Sequence, residues 1–144
     1  MNAKIIIFFM LLGSFSAFAQ LKNEQKQIPE GKWVLESVQA SKGCDHDNHE
    51  GGFHAHDVDI NDVDIEFYTE LEVKQNSITL KSSKNTLQGT YVYTRLEGIR
   101  FGSPAIPFNP GGNVIAGKLY LQQRVNDPLD KSHPIYVSFI YEQK

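Results

Sequence analysis

Cysteine and tryptophan are the scarcest residues of this chain of 144 residues, with one of each. The single cysteine, Cys44, excludes a disulfide within the chain, so the fold must be held by packing and hydrogen bonds alone. In an oxidising compartment a lone thiol is buried, bound to a metal, paired with another chain or free. The single tryptophan, Trp33, is a candidate core residue, because burying an indole removes a large apolar area from water.

Long apolar runs are also missing, except near the N-terminus. There Lys4 precedes the apolar run Ile5–Leu12, and the small-residue pattern Ala17-Phe18-Ala19 follows. A charged start, a short apolar stretch and an A-x-A site are typical of a cleaved signal peptide, whereas a membrane span needs roughly 20 apolar residues. We therefore expect residues 1–19 to be removed before Gln20, and an uncleaved membrane anchor is the alternative.

The expected mature chain starts with glutamine rather than with a lipid-accepting cysteine. We therefore expect an exported protein, periplasmic or secreted, that is not a lipoprotein and has no stable membrane insertion. Residues 20–30 are polar and predict a flexible lead, and residues 31–144 predict a single β domain. The formal net charge of −3 does not favour nucleic acid as a partner. The sequence contains no G-x-S-x-G, no glycine-rich phosphate loop and no catalytic Cys-His pair, so it predicts no enzyme.

Helical periodicity is absent after the first 20 residues, and short strands are predicted instead. Val63, Ile65 and Phe67 alternate with polar residues, and residues 118–125 and 135–141 alternate in the same way. Prolines and glycines over residues 102–113 predict a long loop. The resulting short strands predict an all-β fold, which is an antiparallel barrel of about eight strands, or a half-open barrel or sandwich.

The motif Gly31-Lys32-Trp33 resembles the G-x-W that opens the first strand of lipocalin-type barrels. With the stretch Leu87–Tyr91 and a terminal apolar strand, the chain resembles small exported lipocalin-like, calycin-type proteins of Bacteroidetes. The resemblance implies that Gly31 begins the barrel, that Trp33 closes one end, and that Arg124 packs on the indole in a cation–π contact. A competing resemblance, to META-type domains, rests on Trp33 and Leu35.

A barrel of eight strands is just wide enough for its own side chains or for one small ligand. Four aromatic residues of the predicted strands are candidates to hold a small, partly apolar ligand: Tyr91, Tyr93, Phe101 and Tyr120. The alternative is that these rings fill the core. The leading interpretation is a non-enzymatic exported module that binds such a ligand in a lipocalin-like barrel.

Residues 44–66 hold most of the histidines and aspartates, and no lysine or arginine lies between Lys42 and Lys74. Candidate ligands of a transition metal lie within residues 44–57, and zinc, copper or nickel would suit them: Cys44, His46, His49, His54 and His56. An extended segment would place His54 and His56 on one face. The alternatives are an acidic, solvated loop and an irregular calcium site at residues 57–61.

Periplasmic transition-metal binding is therefore the second interpretation. The sequence identifies no definite cofactor. The third is a protein–protein accessory or inhibitor module that uses the proline-rich loop as its contact surface. The three interpretations predict different interiors and surfaces for the barrel. An open cavity favours a small ligand, a filled core with ordered histidines favours a metal, and a filled core with an exposed apolar patch favours a protein partner.

Overall fold

Strands that follow one another in the sequence become neighbours in a single sheet. The computed structural model of the chain describes residues 24–44 and 54–144, with Cys44, His54 and Ala55 described by their backbone alone. The strands in chain order are β1 (Gln25–Lys26), β2 (Gly31–Cys44), β3 (His54–Val58), β4 (Glu70–Lys74), β5 (Ser77–Lys81), β6 (Thr86–Thr94), β7 (Gly98–Phe101), β8 (Pro110–Ile115), β9 (Lys118–Val125) and β10 (Ile135–Gln143). Within the described residues, no helix is long and apolar enough to cross a membrane.

Eight of these strands close into an antiparallel barrel. From β2 and β4 onward each strand pairs with the next, and β10 returns to pair with β2. β1 and β3 lie outside this ring, where β1 extends the edge of β6 and β3 extends the edge of β2. The predicted all-β antiparallel barrel is confirmed, and its up-and-down order is consistent with a lipocalin-like fold.

The strand register defines two ends of the barrel. At the N-terminal end lie residues 24–30 and the turns 75–76, 95–97 and 116–117. At the opposite end, which we call the mouth, lie the connections 59–69, 82–85, 102–109 and 126–134. The predicted signal peptide, residues 1–19, lies outside the described residues.

Alternation along each strand sends every second side chain into the barrel. On β10, for example, Ile135, Val137, Phe139 and Tyr141 are buried, and the residues between them are half-buried. At the N-terminal end, Trp33 is 1% exposed, and its indole N–H donates to the carbonyl oxygen of Pro29 at 3.0 Å. Trp33 is therefore a core residue, as the sequence predicts.

The domain begins before Gly31, whereas the sequence predicts a flexible lead up to residue 30. β1 pairs with the end of β6. Ile28 is buried in the core, and its backbone N–H donates to the hydroxyl oxygen of Tyr91 at 3.2 Å. The carbonyl of Glu30 accepts from the side-chain amide of Gln143 at 2.7 Å. Residues 24–30 thus seal the N-terminal end, because one apolar side chain and several backbone groups find partners there.

Two segments differ from the predicted strand pattern. Residues 63–67 form no strand, because the connection 59–69 leaves the edge of β2 and returns only where the N–H of Leu35 donates to the carbonyl of Thr69 at 2.9 Å. The predicted loop 102–113 is shorter, since Pro110–Ile115 is β8. Glycine is required there, because a Cβ on Gly111 would lie 1.8 Å from the carbonyl oxygen of Ile99.

Truncating the indole tests the core position of Trp33. We expect Trp33→Ala to lower the free energy of unfolding by about 3 to 5 kcal/mol, as truncations of buried aromatic rings do. Trp33→Phe keeps a ring and serves as the matched control, with a smaller loss. Emission of the native protein reports this one site and should be blue-shifted, so a red-shifted, fully quenchable emission would contradict the burial of Trp33.

Candidate binding site at the barrel mouth

The barrel interior at its N-terminal end is filled by strand side chains. Tyr91 and Tyr93 both point inward, and both are nearly buried. The hydroxyl of Tyr91 donates to the carbonyl of Gln75 at 2.6 Å, and that of Tyr93 donates to Oδ1 of Asn113 at 2.7 Å. These two candidate ligand-binding residues therefore line the interior. Their hydroxyl groups are already hydrogen-bonded at the N-terminal end.

The other two aromatic candidates separate. Phe101 pairs with Tyr91, so it shares the inward face. Tyr120 lies between the fully buried Leu119 and Leu121, and it pairs with Ile140 on the outer face of the sheet. The structure thus removes Tyr120 from any site inside the barrel, because strand alternation points it the other way.

The mouth is filled by side chains from a loop rather than from a strand. Ile106 and Phe108, which we call the plug, belong to the connection 102–109 and are 5% and 2% exposed. Ile106 occupies the space over Gly89, where a Cβ would lie 2.9 Å from Cγ1 of Ile106. Gly89 is an inward position of β6 without a side chain, so the loop supplies the volume that this strand lacks.

Phe108 is the centre of an aromatic cluster at the mouth. Its ring centroid lies 5.3 Å from that of Phe139, 6.0 Å from that of Phe101 and 6.2 Å from that of Tyr68. The contacts with Phe139 and Tyr68 are edge-to-face, an arrangement that aromatic rings favour. Phe67 lies 6.4 Å from Phe139 and remains 38% exposed, so aromatic surface also reaches the solvent at this end.

The connection 59–69 is fastened to the barrel by Glu66. Its carboxylate accepts from the hydroxyl of Ser82, from the side-chain amide of Asn85 at 3.0 Å and from the hydroxyl of Tyr68 at 3.1 Å. These hydrogen bonds, that of Ser82 foremost, lower the pKa of Glu66 from its ordinary value. One carboxylate thus ties this connection to the β5–β6 turn.

A charged cluster lies on the inner rim of the mouth. It consists of Lys42, Asp127, Asp130 and His133, and we call it the rim cluster. Lys42 faces inward, because it pairs with the buried Ile135. Its ammonium lies 2.7 Å from Asp127 and 2.9 Å from Asp130, and the imidazole of His133 lies 2.9 Å from Asp130. The cluster therefore fastens the connection 126–134 to β2.

Ionisation of the rim cluster follows from these contacts. The hydrogen bond from Lys42 is the largest cause that holds the pKa of Asp130 far below its usual range, and Ser132 and His133 add to it. Lys42 also lowers the pKa of Asp127. In turn, hydrogen bonds to Asp127 and Asp130 raise the pKa of Lys42. All three groups are therefore charged at neutral pH.

Part of the predicted metal segment reaches the same face of the mouth. The Cα of Cys44 pairs with that of His54, and the Cα of Lys42 pairs with that of His56. Positions 44, 54 and 56 therefore share the face on which Lys42 lies. His46 and His49 lie outside the described residues. Among the side chains that the structure describes, no group of three His, Cys, Asp or Glu is arranged to hold a metal ion.

Arg124 does not take the position that the resemblance implies. It is exposed and pairs with Tyr136 near the start of β10, whereas Trp33 pairs with Gln143 at the end of β10. The two residues lie at opposite ends of the barrel and on opposite faces of the sheet, so they form no cation–π contact. Trp33 packs instead among apolar residues and against the N-terminal segment.

Sequence reasoning missed Phe108, Lys42 and Gln123. Phe108 and Ile106 give no periodic signal, because they lie in a loop rich in proline. Lys42 and Gln123 are polar residues at inward positions of β2 and β9, and Gln123 follows Leu119 and Leu121 with the same parity. A polar residue that interrupts an apolar row in this way is a signal that the sequence does contain.

A surface cleft of about 710 Å³ flanks the plug loop on its outer side. Phe101 and Ile106 line this cleft, together with Arg100, Ser103 and Pro107. The cleft therefore reaches Phe101, one of the rings of the aromatic cluster at the mouth. Comparison with models of protein families, with curated proteins and with solved structures finds no match for this chain.

The rim cluster gives stability a defined pH dependence. A carboxyl whose pKa is lowered on folding stabilises the fold fully above its unfolded pKa of about 3.9, and this contribution is lost as the pH falls below it. We expect Lys42→Met to lower the melting temperature at pH 7, and the difference from wild type should shrink below about pH 4.

The matched control is Lys81→Met, because Lys81 forms a longer, more exposed contact of 3.5 Å with Glu70. Exposed pairs contribute little to stability. We therefore expect this variant to differ little from wild type at any pH in thermal unfolding followed by circular dichroism. An Lys42→Met effect that stays constant down to pH 2 would contradict the assigned carboxylate contacts.

Proposed function

We propose that the protein is a non-enzymatic, exported binding module that takes one small, partly apolar ligand into the mouth of its barrel. The observation that carries this proposal is the plug: the volume that a ligand would occupy is filled by Ile106 and Phe108, which come from a connection and not from the barrel strands. The described interior is filled, which by the sequence criterion does not favour a small ligand, so the proposal requires that the plug move out of the mouth. Strand side chains cannot leave without breaking the barrel, whereas a loop can move with the ladders intact.

The hydrogen bonds of the loop favour such a movement. At its ends, the N–H of Gly102 donates to the carbonyl of Thr90 and the N–H of Arg124 donates to the carbonyl of Asn109. Between these points, the loop's backbone N–H groups donate within the loop itself: Ile106 to the carbonyl of Ser103, Ala105 to the hydroxyl of Ser103, and Asn109 to the carbonyl of Pro107. Opening therefore costs mainly the apolar burial of the plug, and few hydrogen bonds to the barrel.

The chemistry of the mouth sets the ligand class. Withdrawal of the plug would expose Phe101 and Phe139 as apolar walls, with Tyr68 above them. Fully burying a side chain of this size is worth about 1.5–3 kcal/mol, so a ligand must return a comparable apolar area. An aromatic or branched aliphatic group meets this requirement, and the adjoining outer cleft leaves space for the displaced loop.

A reversible lock on the loop tests the proposal. The probe is N-phenyl-1-naphthylamine, whose fluorescence rises in apolar surroundings. A Cβ on Gly89 would lie 3.4 Å from that of Ser103, close to the range of about 3.5–4.5 Å that disulfides need. We expect Gly89→Cys/Ser103→Cys, with Cys44→Ser to remove the native thiol, to bind the probe when reduced and to lose at least about tenfold in affinity when oxidised.

The reduced form of the same protein is the matched control, since it carries the same crowding of Ile106 by the new side chain at position 89. Wild type and the Cys44→Ser single variant should bind the probe with micromolar dissociation constants. Equal binding by the oxidised and reduced forms would overturn the loop-gated site. Absence of binding by wild type would overturn the proposed function itself.

Transition-metal binding is the second candidate, and the register of the β2–β3 hairpin favours it. The Cα atoms of directly paired residues in an antiparallel ladder are about 4.5–5.5 Å apart, so the register places positions 44 and 54 next to each other on one face. Position 56 follows on the same face. A thiolate and imidazoles suit zinc, copper and nickel.

Calorimetry with zinc, copper and nickel on tag-free protein tests this candidate. We expect His54→Ala and His56→Ala to weaken binding most, whereas His133→Ala, outside the segment, serves as the control. Affinity should fall as the pH drops through about 6.5, because imidazole binds metals in its neutral form. Binding no tighter than millimolar, or binding unchanged in the double variant, would remove this candidate.

A further inference from the structure

The inner wall of the mouth carries one amide in an otherwise apolar layer. Gln123 faces inward on β9, in register with Val137 of β10 on one side and with Pro110 of β8 on the other. The next inward residues along β9, toward the N-terminal end and toward the rim, are Leu121 and Val125. Gln123 therefore lies between the aromatic cluster and the rim cluster.

The amide oxygen of Gln123 has an unused capacity to accept a hydrogen bond. Oε1 is buried, and no donor among the described residues reaches it. A buried acceptor without a donor is unfavourable, and such groups in folded proteins call for an explanation. By contrast, the hydroxyls of Tyr91 and Tyr93 are hydrogen-bonded, and Lys42 contacts two carboxylates.

The register brings Gln123 close to the space that the plug fills. Phe139, which contacts Phe108, pairs with Leu121, and Gln123 is the next inward residue on the same strand. Inward residues on adjacent strands that are one step apart are diagonal neighbours, and long side chains bridge that separation. A ligand that replaces Phe108 would therefore lie against apolar rings with the amide at one edge.

We propose that Gln123 is a specificity-determining residue of this site, and that the ligand is an apolar molecule with a hydrogen-bond donor, an N–H or O–H, directed at Oε1 of Gln123. This inference rests on the proposed function, since the ligand reaches Gln123 only when the plug has moved. The donor would satisfy the oxygen that the closed mouth leaves without a partner, so the hydrogen bond is gained only in the complex.

Two probes of nearly the same shape test the inference. N-phenyl-1-naphthylamine carries an N–H between its rings, and 1-phenoxynaphthalene carries an ether oxygen in the same place. We expect wild type to bind the amine about tenfold more tightly in calorimetry, which is the size expected for one hydrogen bond to a buried acceptor. Gln123→Met keeps the length of the side chain without the amide, and it should erase that preference.

Gln122→Met is the matched control, because Gln122 lies one residue away on the outer face, where it pairs with Ser138. It should keep the preference for the amine. Thermal unfolding supplies an independent readout: Gln123→Met should raise the melting temperature of the unliganded protein, because it removes a buried polar atom without a partner.

The outcomes separate the two proposals. If wild type binds both probes equally, or if Gln123→Met keeps the preference, the site exists but the donor inference is overturned. A preference for the ether would also overturn it. If neither probe binds wild type, the loop-gated site fails, and the inference fails with it.

Discussion

Pairing of the first long strand with the last is the constraint on which the rest of the structure depends. β2 and β10 share a ladder from Trp33–Gln143 to Lys42–Ile135, with one irregularity between Ile140 and Tyr141. The closed ring has no free long edge, and a slip of one residue would turn Trp33 outward and Lys42 away from Asp127. The same ladder therefore seals the N-terminal end of the barrel and directs a charged side chain into its mouth.

The two ends of the barrel are closed by different means. At the N-terminal end, Ile28 and Trp33 are held by hydrogen bonds to backbone and to Tyr91. At the mouth, closure depends on the plug, on Glu66 and on Lys42, which belong to or contact connections rather than ladders. Elements fixed by few hydrogen bonds open at lower free-energy cost than strands do. The proposed binding site accordingly lies at the mouth, the end whose closure depends less on the ladders.

Much of this architecture could be predicted from the sequence. Alternation identified β9 and β10, and the large apolar area of Trp33 identified a core residue, because both follow from periodicity and burial alone. Sequence reasoning missed β8, since prolines and glycines normally end strands and here glycine is needed for a close backbone approach between neighbouring strands. It wrongly assigned a strand to residues 63–67. Apolar and polar residues alternate in this segment because one side of it packs against the barrel, and the segment does not pair as a strand.

The site was harder to predict than the fold, for a physical reason. Tyr91, Tyr93 and Tyr120 look alike in sequence, yet the strand face sends two inward and one outward, and hydrogen-bond partners distant in the chain then occupy both inward hydroxyls. The plug depends on a loop that folds back onto Gly89, and no periodicity records such a contact. Lys42 and Gln123 are the site residues that the sequence could have revealed. Each is a polar residue at an inward position of a strand, and such a break in an apolar row is visible once the strand is assigned.

Charge at the rim narrows the chemistry of the proposed ligand. The ammonium of Lys42 lies between the carboxylates of Asp127 and Asp130, so its positive charge is fully matched and the three groups together carry one negative charge at neutral pH. An anionic head group bound at the mouth would meet that negative charge at a partly exposed rim and would be repelled. A carboxylate or phosphate would therefore be disfavoured. The acceptor oxygen of Gln123 would disfavour these groups as well, because neither of them donates a hydrogen bond when ionised. Both features favour a neutral or cationic donor on an apolar body.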